Sequence, residues 1–282
     1  MRIDLHLHTT HSDGVLATDA LLRAVALAGL DRFAIADHDT LAAYDVDAAA
    51  LAPHATRLIS GIELSTSLAG TDIHILGYNV FPESASLKSL LTERASARFQ
   101  RAERIVVKLN AAGCSVSMED VLRHARTGSI GRPHIARALI ERGYARDVDD
   151  AFARYLGSSA VAYVPSSAVS PAHAIAAIQR GGGVAVLAHP ARNNVGEFLP
   201  ELLASGLDGI EVYSPAHSHH DEARFRALAR QHGLVITAGS DFHGPTEARP
   251  RPGVDIDDEE FASFLELLQR RASTVNDART TD

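Results

Sequence analysis

The chain of 282 residues opens its first predicted strand with Ile3-Asp4-Leu5-His6-Leu7-His8. His6 and His8 are two positions apart on that strand, so both side chains leave the same face of it. Two imidazoles side by side on an inward face need a shared partner, and a metal ion is the usual one. Hydrogen bonds can also satisfy two buried histidines, so the other strands decide between these interpretations.

Further short apolar runs follow, and helical stretches separate most of them. The seven predicted strands are Ile3–Leu7, Arg32–Ala36, Leu58–Leu64, Asp72–Tyr78, Val184–Ala188, Gly209–Tyr213 and Leu234–Gly239. The accompanying helices are predicted at Thr18–Ala28, Pro171–Arg180, His219–Gln231 and Asp257–Arg271. Such alternation is typical of parallel strands joined by crossover helices, in a doubly wound sheet or a barrel. Polar residues gather where each run ends, which favours an α/β barrel with its active site at the carboxyl ends of the strands.

One long stretch, from Pro82 to Pro165, interrupts this alternation because its pattern is helical throughout. Leu87, Leu90 and Leu109 belong to an apolar series at helical spacing. Further helices are predicted at Met118–His124, Pro133–Arg142 and Val148–Leu156. We therefore divide the chain into a first barrel segment (residues 1–81), a helical insertion between strands four and five (82–165) and a second barrel segment (166–282).

Charge is distributed unevenly between these segments. Residues 94–146 contain 11 Lys and Arg against 4 Asp and Glu, whereas the whole chain carries a net charge of −8. A basic segment inside an acidic frame suits a cap that attracts an anion toward a site of carboxylates, although a solvated helix face would have the same composition. The negative total disfavours a protein that coats long nucleic acid.

Other sequence features limit the class of protein. No apolar run approaches the ~20 residues of a membrane helix, and the first residues do not resemble a signal peptide. The single cysteine, Cys114, cannot form an internal disulfide. We expect a cytoplasmic protein with no membrane association and no obligate protein partner.

Nine His, Asp and Glu side chains are predicted at or just after strand ends. They are His6, His8, Asp13, His38, Glu63, His74, His189, Asp241 and His243. A mixture of imidazole and carboxylate without thiolate suits Mn²⁺, Zn²⁺ or Fe²⁺. Nine ligands are too many for one tetrahedral ion, so we expect two or three ions that share a bridging carboxylate. Asp37 and Asp39, which flank His38, are expected to orient ligands from a second layer.

These motifs resemble the polymerase and histidinol phosphatase (PHP) family of the amidohydrolase superfamily. The matching motifs are H-x-H, D-H-D, G-x-E, H-x-x-G-Y, A-H-P and G-S-D-x-H, and they cover roughly residues 1–80 and 180–245. The resemblance implies a distorted seven-stranded β/α barrel that hydrolyses phosphate esters through a metal-bridging hydroxide. It implies Mn²⁺ as the bound ion, with Zn²⁺, Fe²⁺ or Mg²⁺ as alternatives.

The same resemblance divides the nine ligands among three ions. One ion would be held by His6, His8, Glu63 and Asp241. Glu63 would bridge to a second ion, which His74 and His189 also hold, and a third would be held by Asp13, His38 and His243. Asp241, Glu63 and His189 are therefore the expected catalytic residues.

The loop Ser129-Ile130-Gly131-Arg132-Pro133-His134 in the helical insertion is the most informative segment for the substrate. Proline in the first helical turn leaves backbone N–H groups free for an anion, and an arginine fork matches phosphate. A helix start with a surface arginine would look the same. Resemblance to the nucleotide bisphosphate phosphatases and short-RNA exonucleases of the family implies that Ser129, Arg132 and His134 hold a 5′-phosphate. Arg192 and Asn194 are further candidates for contacts with ribose or phosphate.

The leading hypothesis is a phosphatase that removes the 3′-phosphate of nucleoside 3′,5′-bisphosphates, so that its substrate is a small nucleotide with two phosphates. The first alternative is a 5′→3′ exonuclease on short 5′-phosphorylated oligonucleotides. A non-catalytic, metal-bound regulatory module is disfavoured by the complete ligand set. Histidinol phosphate phosphatase is disfavoured because its substrate has no second phosphate for Arg132.

Overall fold

The computed structural model of the chain describes residues 1–125, 129–166, 169–193, 197–247 and 249–280. Its strands are β1 (Arg2–Leu7), β2 (Arg32–Ile35), β3 (Leu58–Leu68), β4 (Thr71–Tyr78), β5 (Val184–Leu187), β6 (Gly209–Tyr213), β7 (Val235–Ala238) and β8 (Val254–Asp255). Its helices are α1 (Thr18–Ala28), α2 (Ala42–Val46), α3 (Ala48–Leu51), α4 (Ala85–Ala111), α5 (Met118–Ala125), α6 (Arg132–Glu141), α7 (Val148–Ala151), α8 (Pro171–Arg180), α9 (Leu199–Ala204), α10 (His219–His232) and α11 (Asp258–Thr280). A π-helical turn, Phe152–Leu156, continues α7.

The eight strands form one barrel-shaped sheet in the order β7-β6-β5-β4-β3-β2-β1-β8. The barrel nearly closes where Phe242, just after β7, pairs with Leu7 of β1. All seven predicted strands are present, and the described sheet has one more than the predicted seven. The additional strand, β8, has only two residues and pairs with the start of β1, so it is too short to produce a sequence pattern.

The direction of β4 differs from the prediction. Continuous alternation predicted parallel strands throughout, whereas β4 runs antiparallel to both β3 and β5. Only Ala69 and Gly70 separate β3 from β4, and both residues have positive φ, 50° and 83°. Two residues are enough for a hairpin turn but far too few for the crossover that parallel strands require.

The barrel interior and the helices around it form the main apolar core. Leu5, Ile62, Ile75 and Val186 of four strands are fully buried in it, as is Ile178 of α8. Burying one such aliphatic side chain stabilises the fold by about 1.5–3 kcal/mol. In the described part of the chain, no helix has the length and apolar character needed to cross a membrane.

Helices α4 to α7 pack around a second apolar cluster of their own. Ile105 and Leu109 of α4 meet Val121 of α5 and Leu139 of α6 there. Helix α4 also contacts the barrel, since Ser86 Oγ donates to the backbone oxygen of Ala177 on α8 at 2.9 Å. Described residues between Pro82 and Pro165 contain no strand, and that segment as a separate insertion with these boundaries stays a prediction.

Candidate metal centre and substrate cleft

The fold brings all nine predicted metal ligands to one end of the barrel. Ligand atoms within 4.8 Å of one another form three overlapping groups: His6, His8, Glu63 and Asp241; His8, Asp13, His38 and His243; and His38, Glu63 and His74. The first group has the predicted membership, and the second adds His8 to the predicted three. The third contains His38 in place of the predicted His189. His189 nevertheless lies close by, with Nε2 at 3.0 Å from Glu63 Oε1.

Glu63 lies at the centre of the cluster and is fully buried. Its oxygens contact five imidazoles: Oε2 lies 3.0 Å from His6 Nε2, 3.3 Å from His8 Nε2 and 3.1 Å from His38 Nδ1, and Oε1 lies 2.7 Å from His74 Nδ1 and 3.0 Å from His189 Nε2. A carboxylate with imidazoles on both oxygens has the arrangement that a bridging ligand needs. The β3–β4 hairpin creates part of it, because β4 delivers His74 from the strand next to Glu63.

Asp13 and Asp241 occupy the side of the cluster away from His74. Asp13 Oδ1 lies 3.1 Å from His243 Nε2, and Asp241 Oδ1 lies 3.2 Å from His8 Nε2. His189 and Asp241 have positive φ, 27° and 54°, although neither is glycine. Such strained backbone persists mainly at functional sites, where the surrounding structure enforces it.

Several ligand atoms in this cluster are buried without a hydrogen-bond partner among the described residues. They are His6 Nε2, His8 Nε2, Asp13 Oδ1, His38 Nδ1 and Glu63 Oε2. Leaving a buried polar atom unpaired costs about 1–3 kcal/mol, so a group of such atoms indicates a site where a ligand binds to them. All five belong to the predicted ligands and face one another, which is the arrangement that divalent cations satisfy.

Electrostatics prepare the cluster for cations. Burial raises the pKa of the Glu63 carboxyl, but the imidazoles of His38 and His6 outweigh this and hold that pKa well below its usual range. Burial lowers the pKa of His38 to about 3, which leaves this ring neutral with a lone pair to donate. Burial also lowers the pKa of His8, but its contacts with Asp241 and Glu63 raise that pKa to about 10. A cation bound there would displace this proton.

Glu211 on β6 is a functional residue that the sequence analysis missed. It is fully buried, with Oε1 at 3.0 Å from His6 Nδ1, and Oε2 accepts a 2.8 Å hydrogen bond from the backbone N–H of His189. A carboxylate on the far nitrogen of a ligating histidine fixes the tautomer and the ring orientation. In the sequence, Glu211 stands out only as a single acid within the apolar run Gly209–Tyr213.

The carboxylates of the aspartates that flank His38 contact no ligand imidazole in the described structure, so their second-layer role stays a prediction. The Asp37 carboxylate accepts hydrogen bonds from the backbone N–H of Thr9 and the hydroxyl of Ser12, at 2.7 and 2.6 Å. The Asp39 carboxylate accepts from Arg98 Nε at 2.6 Å. These side chains hold loops and helix α4, while Glu211 contacts the ring of His6 directly.

The cluster forms the floor of a cleft of about 790 Å³ that is open to solvent. Arg132 and Phe152 line this cleft, and Arg132 also borders an adjoining cavity that none of the predicted ligands lines, which we take as the end of the cleft away from the cluster. The Arg132 guanidinium lies 5.5 Å from the centre of the Phe152 ring and 3.5 Å from Asp72 Oδ2. Arg192 lies beside the cluster, with Nη1 at 2.6 Å from Asp241 Oδ2.

Two further arginines of α4, Arg98 and Arg101, line the same end as Arg132, and sequence reasoning did not single them out. Arg101 Nε donates to the backbone oxygen of Val164 at 2.9 Å, but its buried Nη2 has no partner in the described structure. Burial and the charges of Arg132 and Arg98 lower the pKa of Arg101 to about 10. An anion would relieve this concentration of positive charge.

The remaining predicted substrate contacts lie elsewhere. His134 is buried, its Nδ1 accepts from the backbone N–H of Gly131 at 2.9 Å, and its Nε2 lies 2.7 Å from the backbone oxygen of Ser12. With both nitrogens engaged, this ring has none left for a phosphate. Ser129 lines a different cavity, beside Thr40 and Lys88, because its backbone N–H binds the carbonyl of His11. Asn194 lies outside the described residues.

Comparisons with known proteins agree with this site. The chain is 37% identical over 252 residues to the 5′-3′ exoribonuclease Rnm of Escherichia coli (strain K12), covering 86% of this chain and 85% of that protein. It is 34% identical over 251 residues to the 3′,5′-nucleoside bisphosphate phosphatase of Chromobacterium violaceum, covering 87% and 88%. A protein described as a metal-dependent phosphoesterase from Bifidobacterium adolescentis superposes with a TM-score of 0.85 at 32% identity, over 94% of this chain and 96% of that one. No protein-family model matches the chain.

Proposed function

The chain belongs to the PHP family of metal-dependent phosphoesterases, and on that premise we propose that it removes the 3′-phosphate from nucleoside 3′,5′-bisphosphates. It is a hydrolase of phosphate esters. The observation that carries the substrate is one cleft with metal-ligating side chains at one end and Arg101 and Arg132 at the other. A substrate with one phosphate at each end matches this polarity.

The three overlapping ligand groups would hold two or three divalent ions, with Glu63 shared between ions. Mn²⁺ suits the mixed imidazole and carboxylate donors, and Zn²⁺, Fe²⁺ or Mg²⁺ are alternatives. When bound, the ions would activate water and neutralise the phosphoryl oxygens. Glu63, Asp241 and His189 would orient the reacting end of the substrate, since all three side chains line the cleft where the metal ligands converge.

The second phosphate would bind at the arginine end. Arg132 offers a planar fork for two phosphate oxygens, and the unpartnered Nη2 of Arg101 adds another donor. Arg94 and Arg98 share the carboxylate of Asp39, and Arg132 lies 3.5 Å from Asp72, so with Arg101 four guanidinium groups face two carboxylates and this corner keeps an excess of positive charge. Arg192 would contact the phosphate at the metals, because it already lies against Asp241.

A second candidate is hydrolysis of a 3′-phosphodiester in short 5′-phosphorylated oligonucleotides. Similarity to Rnm favours it, and so does the exposure of the metal end, where the Arg192 side chain is half exposed. In both reactions the bond between phosphorus and the 3′-oxygen breaks and the 5′-phosphorylated nucleotide leaves, and only the remaining substituent on the phosphorus, a free oxygen or the next nucleoside, differs. The two activities are therefore separated by how much room the cleft leaves for the rest of the oligonucleotide beyond the phosphorus.

Phosphate release tests the proposal directly. With Mn²⁺ present, adenosine 3′,5′-bisphosphate should give phosphate and 5′-AMP at a kcat/KM well above that for 3′-AMP, and 5′-AMP should be inert. A 5′-phosphorylated dinucleotide, followed by product chromatography, measures the second candidate. Equal hydrolysis of 3′-AMP and the bisphosphate would exclude a functional 5′-phosphate site and with it the proposed substrate.

A further inference from the structure

Arg98 of α4 joins three separate segments around the cleft with one guanidinium. Its Nε donates to Asp39 Oδ2 at 2.6 Å, Nη1 donates to the backbone oxygen of Ile130 at 2.9 Å, and Nη2 donates to Ser65 Oγ at 2.7 Å. The side chain is only 13% exposed. Each of its three nitrogens therefore already has a partner within the protein.

Every one of these partners adjoins a residue of the candidate site. Asp39 follows the predicted ligand His38, Ser65 lies two positions after Glu63, and Ile130 lies two positions before Arg132. Asp39 also connects the two ligand-bearing strand ends to each other. Its Oδ1 accepts the backbone N–H of Ser65 at 2.9 Å, and its own N–H donates to the backbone oxygen of Glu63 at 2.9 Å.

We propose that Arg98 is a positioning residue that sets the spacing between the metal ligands His38 and Glu63 and the phosphate-binding Arg132. The part of this inference that concerns phosphate binding by Arg132 rests on the proposed function, whereas the part that concerns the metal ligands does not. A planar guanidinium with three fixed donor directions holds its partners more rigidly than a flexible ammonium could. Spacing matters because a substrate held at two points reacts only when its phosphorus lies where the metal-ligating side chains converge.

The competing role for Arg98 is direct phosphate binding, since it lines the cleft beside Arg101 and Arg132. Loss of a direct phosphate contact would mainly raise KM for the bisphosphate. Loss of spacing would leave the anchor residues in place but misalign the scissile phosphate, which lowers kcat. It would also leave Asp39 Oδ2 with only the longer 3.3 Å contacts to Arg94 among the described residues, and so weaken metal binding through His38, an effect that a phosphate-binding arginine would not have.

The test compares wild type with Arg98→Met, and with Arg104→Met as the matched control. Arg104 is exposed on the same helix and its Nε donates to the backbone oxygen of Gln100 within that helix. Mn²⁺ affinity is measured by calorimetry on chelator-treated protein, and steady-state kinetics are measured on adenosine 3′,5′-bisphosphate. For Arg98→Met we expect Mn²⁺ to bind roughly 10- to 100-fold more weakly at one or more sites, as for other residues that orient metal ligands. We expect kcat to fall at saturating Mn²⁺ by a larger factor than KM rises, whereas Arg104→Met behaves as wild type.

Chemical rescue provides a readout that a general folding defect would not produce. Truncation of Arg98 to alanine would itself open space for a free guanidinium ion, beside Ala97, Ala102 and Ile105, which line the same pocket. In Arg98→Ala, millimolar guanidinium should enter this space and restore Mn²⁺ affinity and kcat. Methylammonium, which lacks the planar fork, should not.

Three results would each overturn the inference. They are unchanged Mn²⁺ affinity in Arg98→Met, a kinetic defect of that variant confined to a higher KM, and failure of guanidinium to rescue Arg98→Ala. If Arg98→Met does not fold, Asp39→Asn takes its place, and wild-type Mn²⁺ affinity in that variant would be equally contrary. Failure of wild type to release phosphate from the bisphosphate would instead remove the proposed function. The Mn²⁺ affinities would still test whether Arg98 positions the metal ligands His38 and Glu63.

Discussion

Glu63 illustrates how much of this site depends on single residues. One carboxylate contacts five imidazoles, and Glu211 behind it holds both His6 and the backbone of His189. Burial makes each of these contacts strong, because the local dielectric is low and water does not compete. It also makes the cluster intolerant of change, since an unpaired buried group has no alternative partner.

Asp241→Asn tests the ligand assignment at this scale. The amide keeps the shape of the side chain but loses the negative charge facing His8 and the ions, so we expect kcat to fall at least ~100-fold. The barrel core lies below this residue, so the thermal midpoint of the chelator-treated variant should stay within a few degrees of wild type. Near wild-type kcat in a folded variant would show that Asp241 does not face the reaction.

Arg132→Ala tests the substrate assignment. Loss of a charge-assisted, bidentate phosphate contact costs on the order of 2–4 kcal/mol, or roughly 30- to 1000-fold in kcat/KM for the bisphosphate. The loss for 3′-AMP should be smaller by most of that factor, because this substrate has no 5′-phosphate. Equal losses on the two substrates would mean that Arg132 acts elsewhere, either in the fold or at the metals.

The nine predicted ligands come together in the structure, and most of them could be singled out because they stand at or just after the end of an apolar run, although His6, Glu63 and His74 lie inside their strands. Glu211 was missed because it lies inside such a run, where an acid gives no indication of the histidine it faces. Ser129 and His134 are adjacent to Arg132 in the chain but point away from the cleft, since spacing along a loop does not determine which way a side chain faces. Arg101 is one of several arginines on α4, and only packing distinguishes it from the exposed Arg104.

At the scale of elements, helix α6 is attached to the metal-site loop through a neutral histidine. His134 at its first turn lies between the backbone of Gly131 and the backbone oxygen of Ser12. Burial lowers the pKa of His134 to about 4. Protonation would place an uncompensated charge at this junction and remove the acceptor for the Gly131 N–H.

The stability of the chain should therefore depend on the protonation of His134. Because its folded pKa lies below the ~6.5 of an unfolded histidine, its contribution is complete above that pH and is lost as pH falls toward 4. We expect protonation of His134 to remove up to about 3 kcal/mol from the free energy of unfolding as the pH falls from ~6.5 to about 4. Denaturant titrations of wild type and His134→Gln, both in chelator, isolate this component. Parallel pH dependence in the two proteins would contradict it.

At the scale of the whole molecule, the ligands come from six of the eight strands of the barrel or from the segments that follow them. They come from β1, β3, β4 and the segments that follow β1, β2, β5 and β7, so any ion bound among them links distant parts of the chain. A ligand that binds only the folded state stabilises it in proportion to the logarithm of its concentration above Kd. Metal binding and global stability should therefore be coupled.

Metal removal tests this coupling. Protein purified without chelator should contain at least two divalent ions per chain, because the nine ligands exceed one coordination shell. Chelation should abolish phosphate release and lower the thermal midpoint, and each ion at a hundredfold excess over its Kd is worth about 3 kcal/mol. A metal content near zero, with full activity retained in EDTA, would rule out metal-assisted hydrolysis.

The pairing that nearly closes the barrel has a consequence for biosynthesis. The backbone N–H of His8 donates to the backbone oxygen of Phe242 at 3.0 Å, so strand β1 docks against a segment that is translated much later than β1 itself. Contacts between residues so far apart in sequence form slowly, and N-terminal segments must wait for them. Asp241 and His243 flank Phe242, so a nascent chain that already contains the other seven ligands still lacks a complete site. The full set of metals should therefore bind late in folding, after the segment that carries Asp241 and His243 has been made and has docked.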